Sequence, residues 1–218
     1  MTRALLVDLG KVLVGFDHQV TCDRLAEVSG ASPAHLRSVL FGDLETAFDK
    51  GRVSAPEFFR ACEKAAGIPR LPDDVWTGAW RDIFYPLPEA IAALARVRPG
   101  IRRVLVSNTN ALHWEGVLGV FDPLEHFDAL VLSFRIGAVK PERPFWDAAL
   151  AAAGCAPGEC LYADDRLELV AAADGLGIPG FVVRGAGSFA AGLDERGLLS
   201  APGSRPGNSL AAQTVRLS

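Results

Sequence analysis

Apolar residues along this chain fall into two alternating patterns. Short runs rich in Leu and Val, each ending in small or polar residues, occur at ALLVDLG (4–10), RRVLVSN (102–108), ALVLS (129–133), CLYAD (160–164) and FVVR (181–184). Between them lie segments with apolar positions at helical spacing, such as EAIAALARV (89–97), PFWDAALAAAG (144–154) and LELVAAADGLG (167–177). Strands that are apolar nearly throughout must be covered on both faces. Their alternation with helices predicts an α/β fold on a doubly wound, Rossmann-like parallel sheet.

Residues 17–85 are too many for a simple crossover and read as three or four helices. Ser54 stands three residues before Glu57, with Pro56 in the first turn, which is a capping-box start. Asp73 or Asp74 can cap the next helix, which carries Trp76 and Trp80 at i, i+4 as packing anchors. The chain thus divides into a core (1–16 and 86–199), an inserted small helical cap (17–85) and a Pro/Gly/Ser-rich tail (200–218) expected to be flexible.

Composition narrows the function. A chain of 218 residues that is 50% apolar can bury one core plus a small accessory unit. Its net charge is −4, and no segment gathers Lys and Arg into a basic face, so nucleic acid and anionic membrane are not expected partners. Cys22, Cys62, Cys155 and Cys160 form no CxxC pair and are read as reduced, mostly buried thiols. No stretch approaches the roughly 20 apolar residues of a membrane span, and the expected location is the cytoplasm. No motif specifies an oligomeric state. Of the 22 basic residues only four are Lys, at positions 11, 50, 64 and 140, so a Lys beside a motif is informative.

Ligands of open parallel sheets bind at the carboxyl ends of the strands. The strand candidates deliver Asp8, Ser107-Asn108-Thr109, Ser133 and Asp164-Asp165 there, and Lys140 follows Ser133 in GAVKPERPFW. Each has a plain structural reading: Asp8 could cap a turn, Ser107 a helix, and Asp164 could begin the LELVAAAD helix. Together they surround one crevice with three acids, a hydroxyl and an ammonium.

In VDLGKVL, VSNTN, Lys140-Pro141 and YADD, in that order, the chain resembles the haloacid dehalogenase-like hydrolases with a small helical cap after the first strand. SNTNALH (107–113) and FDKGRVSAPEFF (48–59) extend the likeness over about residues 4–184. The resemblance implies that Asp8 attacks phosphorus to form an aspartyl phosphate that water then hydrolyses, a covalent route that splits one displacement into two. It also implies Mg2+ held by Asp8, the Gly10 carbonyl and Asp164, with Asp165 in or near the coordination sphere. Ser107, Asn108 and Lys140 would hold phosphate oxygens. The expected activity is a Mg2+-dependent phosphatase of small phosphorylated, sugar-phosphate-like metabolites.

Charge supports the cofactor expectation. Three carboxylates and a phosphate dianion sum to about −5, and Mg2+ with Lys140 returns about +3. Replacing Lys140 by Ala is therefore expected to remove most activity from a protein that still folds.

Three positions depart from the family pattern. Gly10 stands where most phosphatases of the superfamily carry the acid/base Asp, so proton transfer, commonly about 10²–10⁴-fold in rate, lacks its usual group. Good leaving groups, such as sugar 1-phosphates or acyl phosphates, would suffer least. Lys11 either reaches the leaving oxygen as a surrogate acid, adds charge to the phosphate pocket, or faces solvent. Leu169 stands where an Asn often orients the acidic loop. His113, in SNTNALH, is read as structural. The alternatives are a binding-only protein, a 2-haloacid dehalogenase, which needs no divalent metal, and a phosphomutase, which depends on the missing acid/base group.

Overall fold

The computed structural model describes residues 1–200. The expected tail, from 201 onward, lies outside the described residues. The chain opens with β1 (Ala4–Val7), turns through Asp8–Leu13 and enters a short β2 (Val14–Phe16). Five helices follow: α1 (His18–Ser29), α2 (Pro33–Leu40), α3 (Asp43–Asp49), α4 (Ala55–Ala66) and α5 (Asp73–Arg81). The return is through β3 (Phe84–Pro86) and α6 (Pro88–Ala95) to β4 (Arg102–Ser107) and α7 (Ala111–Leu118). Then come β5 (Ala129–Leu132), the single turn α8 (Ser133–Ile136), α9 (Arg143–Ala153), β6 (Cys160–Asp164), α10 (Leu167–Asp174), β7 (Gly180–Val182) and α11 (Ala186–Asp194).

Five strands form one parallel sheet in the order β5-β4-β1-β6-β7. Side chains alternate across it. Leu5 and Val7 join a core with α6, α7 and α11, including Leu94, Trp114 and Phe189. Leu6, Val104 and Tyr162 face the opposite layer with Phe145, Trp146 and Ala173 of α9 and α10. Both faces are covered, as continuous apolar strands require.

The sequence reading missed an antiparallel ribbon in which β2 pairs with β3, bringing Gly15 opposite Tyr85. Strands of three residues are too short to show a period. The helical region holds five helices rather than three or four. They surround a separate cluster of Leu25, Leu36, Phe58, Trp76 and Trp80, to which α7 contributes Leu112. Ser54 and Glu57 form the expected capping box. Asp73 and Asp74 lie instead in the first turn of α5, whose N-cap is Pro72; there they face the positive end of the helix dipole. The helices sit close on the α/β layers. A Cβ at Gly116 of α7 would lie 2.1 Å from the Arg81 carbonyl, and one at Gly51 (φ +62°) 2.4 Å from that of Phe134.

Candidate active site

Sheet register builds the site. Val7 of β1 is level with Leu105 of β4 and Ala163 of β6, so Asp8 and Asp164 emerge side by side beyond the strand ends. By alternation Asp8, Tyr162 and Asp164 point to the α9/α10 side of the sheet. Lys140 enters from that side, through a cis Lys140-Pro141 peptide. Its side chain is buried. Nζ donates to Asp8 Oδ1 at 2.6 Å, Asp164 Oδ2 at 2.8 Å, and Val106 O and Tyr162 Oη at 3.1 Å each. Tyr162 donates its own hydroxyl to Asp164.

Burial opposes the charge on Lys140, yet Asp8 and Asp164 outweigh it and hold the ammonium above its usual pKa. Burial lifts the Asp8 carboxyl to about 7, with Asp164 adding to the rise and Lys140 pulling the other way. Asp165 is raised as well, first by burial and then by Asp164. One oxygen from each of Asp8, Asp164 and Asp165 can be chosen so that all lie within 4.8 Å of one another. A set of hard oxygens with net negative charge suits a small divalent cation.

The expected phosphate-binding groups gather around the same cleft, which is lined by Asp8, Gly10, Ser107, Asn108, Lys140 and the acidic pair. Ser107 closes β4, buried. Asn108 braces Lys140: its Oδ1 accepts from the Lys140 N–H at 2.7 Å and its Nδ2 donates to the Lys140 carbonyl at 3.1 Å. Ser133 is drawn away from the cleft, because its hydroxyl bridges the N–H and carbonyl of Thr109. Lys11 adopts a left-handed backbone (φ +57°), with Nζ 5.4 Å from the Phe16 ring centroid and its side chain on the open rim. Leu169 is buried along the cleft.

Ser107 does not cap a helix, and Asp164 lies just before α10, where its Oδ1 accepts the Arg166 N–H at 2.8 Å. Asn110 caps α7, and Arg166 is the N-cap residue of α10. Sequence reasoning missed Tyr162, although its place two residues before Asp164 puts both on one face of β6. It also missed a second compartment. Gly10, Phe16, His18, Ser107 and Asn108 line both the cleft and an adjoining chamber of about 90 Å3, whose walls include Glu45 and Asp49 of α3 and His113 of α7. His113 belongs to a closed set of near-parallel rings with Trp80, Phe41 and His18, at centroid separations of 5.1, 5.3, 4.2 and 6.0 Å around the set. Among the described residues no helix is long and apolar enough to cross a membrane.

A family model described as haloacid dehalogenase-like hydrolase matches residues 45–177, more than half of the chain. Solved structures of the same fold include a HAD family enzyme from Bacteroides thetaiotaomicron in complex with magnesium and inorganic phosphate (24% identity, TM-score 0.74, covering 84% of this chain and 95% of that one). A HAD-like family hydrolase from Porphyromonas gingivalis matches at 24% identity and TM-score 0.72, over 84% and 91% of the two chains. The L-2-haloacid dehalogenase of Xanthobacter autotrophicus matches at 20% identity and TM-score 0.61, over 84% and 78%.

Proposed function

This chain belongs to the haloacid dehalogenase-like hydrolases, and from that premise we propose that it is a Mg2+-dependent phosphatase of small phosphorylated metabolites, sugar-phosphate-like in character. The observation that carries the reading is the buried constellation in which one ammonium, Lys140, is shared by Asp8 and Asp164 while Asp165 lies close by. Three carboxylates against one ammonium leave a surplus of negative charge at a site that must admit a phosphate dianion. Asp8, Asp164, Asp165 and the Gly10 carbonyl would hold Mg2+, which when bound offsets that surplus and polarises the phosphoryl group.

In this reading Asp8 is the nucleophile. Lys140 favours the ionised form of the attacking carboxylate and orients it, then stabilises charge on the phosphoryl oxygens as they move. Ser107 donates to a phosphate oxygen. Asn108 fixes the Lys140 backbone so that the ammonium is in place before substrate arrives. Lys11, on the rim, adds positive charge at the entrance. The helices of residues 17–85 act as the cap, and their face over the cleft selects the leaving group. A dehalogenase shares the fold, but it has no use for the adjacent Asp164-Asp165 pair.

The test is hydrolysis of p-nitrophenyl phosphate with Mg2+, with a chelator, and by Asp8→Asn. The expected result is a signal that needs the metal and disappears in the variant. Silence toward p-nitrophenyl and acetyl phosphates would favour a binding-only protein, and metal-independent release of halide from 2-haloacids a dehalogenase.

A further inference from the structure

Position 10 cannot move a proton, and it is not an empty place. A Cβ on Gly10 would meet the Phe16 ring at 2.7 Å, so the aromatic ring already fills the space an acidic side chain would need. The proton must come from another wall.

The chamber next to the cleft carries a sign of its occupant. His113 is 7% exposed, and its Nε2 has no hydrogen-bond partner among the described residues. Asn110 identifies the atom as a donor. Asn110 Oδ1 accepts the His113 backbone N–H, so its Nδ2 is the donating end, toward Asp49 Oδ1 at 2.9 Å and His113 Nδ1 at 3.1 Å. Nδ1 therefore accepts, and the hydrogen of the neutral ring is on Nε2. A buried N–H without an acceptor is costly, and an oxygen of a bound molecule would satisfy it. The chamber is thus suited to the organic part of the substrate, with the bridging oxygen at the boundary lined by Gly10, Phe16, His18, Ser107 and Asn108.

The titratable groups that line the chamber and the neighbouring cleft differ in chemistry. Lys11 lines the cleft but not the chamber. Burial keeps both imidazoles neutral, His18 near 4 and His113 near 3, and a neutral imidazole N–H is a very weak acid. Asp49 is engaged by Asn110; burial lifts it only to about 6. Glu45 lies four residues before Asp49 on the same face of α3 and makes no side-chain hydrogen bond among the described residues. Burial, and then the nearby Asp49, lift it to about 8, so it keeps its proton at neutral pH and can still release it, which suits a general acid.

We propose that Glu45 supplies the acid/base function that position 10 lacks. Its carboxyl proton passes to the bridging oxygen as the P–O bond breaks and Asp8 takes the phosphoryl group. The resulting Glu45 carboxylate then accepts a proton from the water that attacks the aspartyl phosphate, releasing phosphate and restoring the acid. The assignment rests on the phosphatase reading above.

The experiment compares rapid-quench release of phenols from p-nitrophenyl phosphate and phenyl phosphate, two substrates of similar size whose leaving groups differ in acidity. Wild type, Glu45→Gln and Lys11→Met are measured with Mg2+, each first checked for a native melting transition. Glu45→Gln is expected to slow phenol release by about 100-fold or more, with a far smaller loss for p-nitrophenolate, and Lys11→Met to affect both alike. Equal slowing of both substrates by Glu45→Gln, no slowing of either, or selective slowing by Lys11→Met would overturn the assignment. A wild-type protein that releases neither phenol would instead overturn the phosphatase reading itself.

Discussion

On the sheet side of Gly10, Asp8 and Asp164 share the buried Lys140 ammonium through hydrogen bonds. On the helical side, Glu45, Asp49, His18 and His113 surround a chamber in which burial pushes carboxyl groups up and imidazoles down. Burial raises the carboxyl groups on both sides, but only the cleft has a buried ammonium that pulls against that rise. In the proposed reading the cleft takes a dianion and a metal. The chamber suits a neutral, oxygen-bearing molecule, since burial favours the uncharged forms of Glu45, His18 and His113 there. That division is what the proposed phosphate-ester substrate would require, since its two halves differ in the same way.

Breaking the charged side should have the larger effect. Lys140→Met leaves two carboxylates facing each other in a buried place, and losing one partner of a buried ion pair costs about 3–5 kcal/mol. Chemical denaturation of the metal-free protein measures it. This revises the expectation from sequence that removing Lys140 would spare folding, since the ammonium makes four contacts with sheet and strand-end groups. Added Mg2+ should raise the melting temperature of the variant more than that of wild type, because a cation there restores the lost balance.

The neutral side should respond more mildly. Asn110→Ala removes the side-chain cap of α7 and the donor to Asp49, and the loss of a cap alone is worth about 1 kcal/mol in the same denaturation experiment. The Asn110 Nδ2 donor to His113 Nδ1 is also lost, so the ring loses its fixed tautomer.

The smallest effect is a pH signature of Glu45. Its folded pKa of about 8 exceeds the ordinary value of 4.5, so the folded state binds the extra proton between those limits. Its contribution to stability is full below about pH 4.5 and is lost as pH rises through about 8. The facing groups are Asp49, Cys62, His18 and His113. The thiol stays protonated, its pKa lifted by burial to about 12, and the depressed imidazoles stay neutral across the window. Asp49 contributes in the same sense below about 6. The melting temperature of wild type relative to Glu45→Gln should fall steadily over that range; a flat difference would mean that Glu45 is already ionised.

Much of this was legible in the chain because strands announce themselves by apolar runs and the chemistry sits where those runs stop. Asp8, Ser107 and Asp164 each follow or close such a run, and Lys140 stood out in a chain that otherwise prefers Arg. The β2–β3 ribbon escaped because its strands are three residues long and Tyr85 is exposed. The seven-residue α3 escaped for the same reason, too short to display a period. Asn110 with Asp49, and Lys140 with Tyr162, join segments 61 and 22 residues apart, which no local pattern records. Gly10 could be read as a missing acid, but not that Phe16 occupies its place.

The central claim is that Asp8 accepts the phosphoryl group in a site that needs its metal. Protein mixed with an activated phosphate ester and Mg2+, quenched in acid within milliseconds and digested, tests it by mass spectrometry. The expected result is a phosphoryl adduct on the peptide containing Asp8, absent with chelator and absent in Asp8→Asn. An adduct that persists in Asp8→Asn, or product formed with no adduct at any quench time, would contradict it.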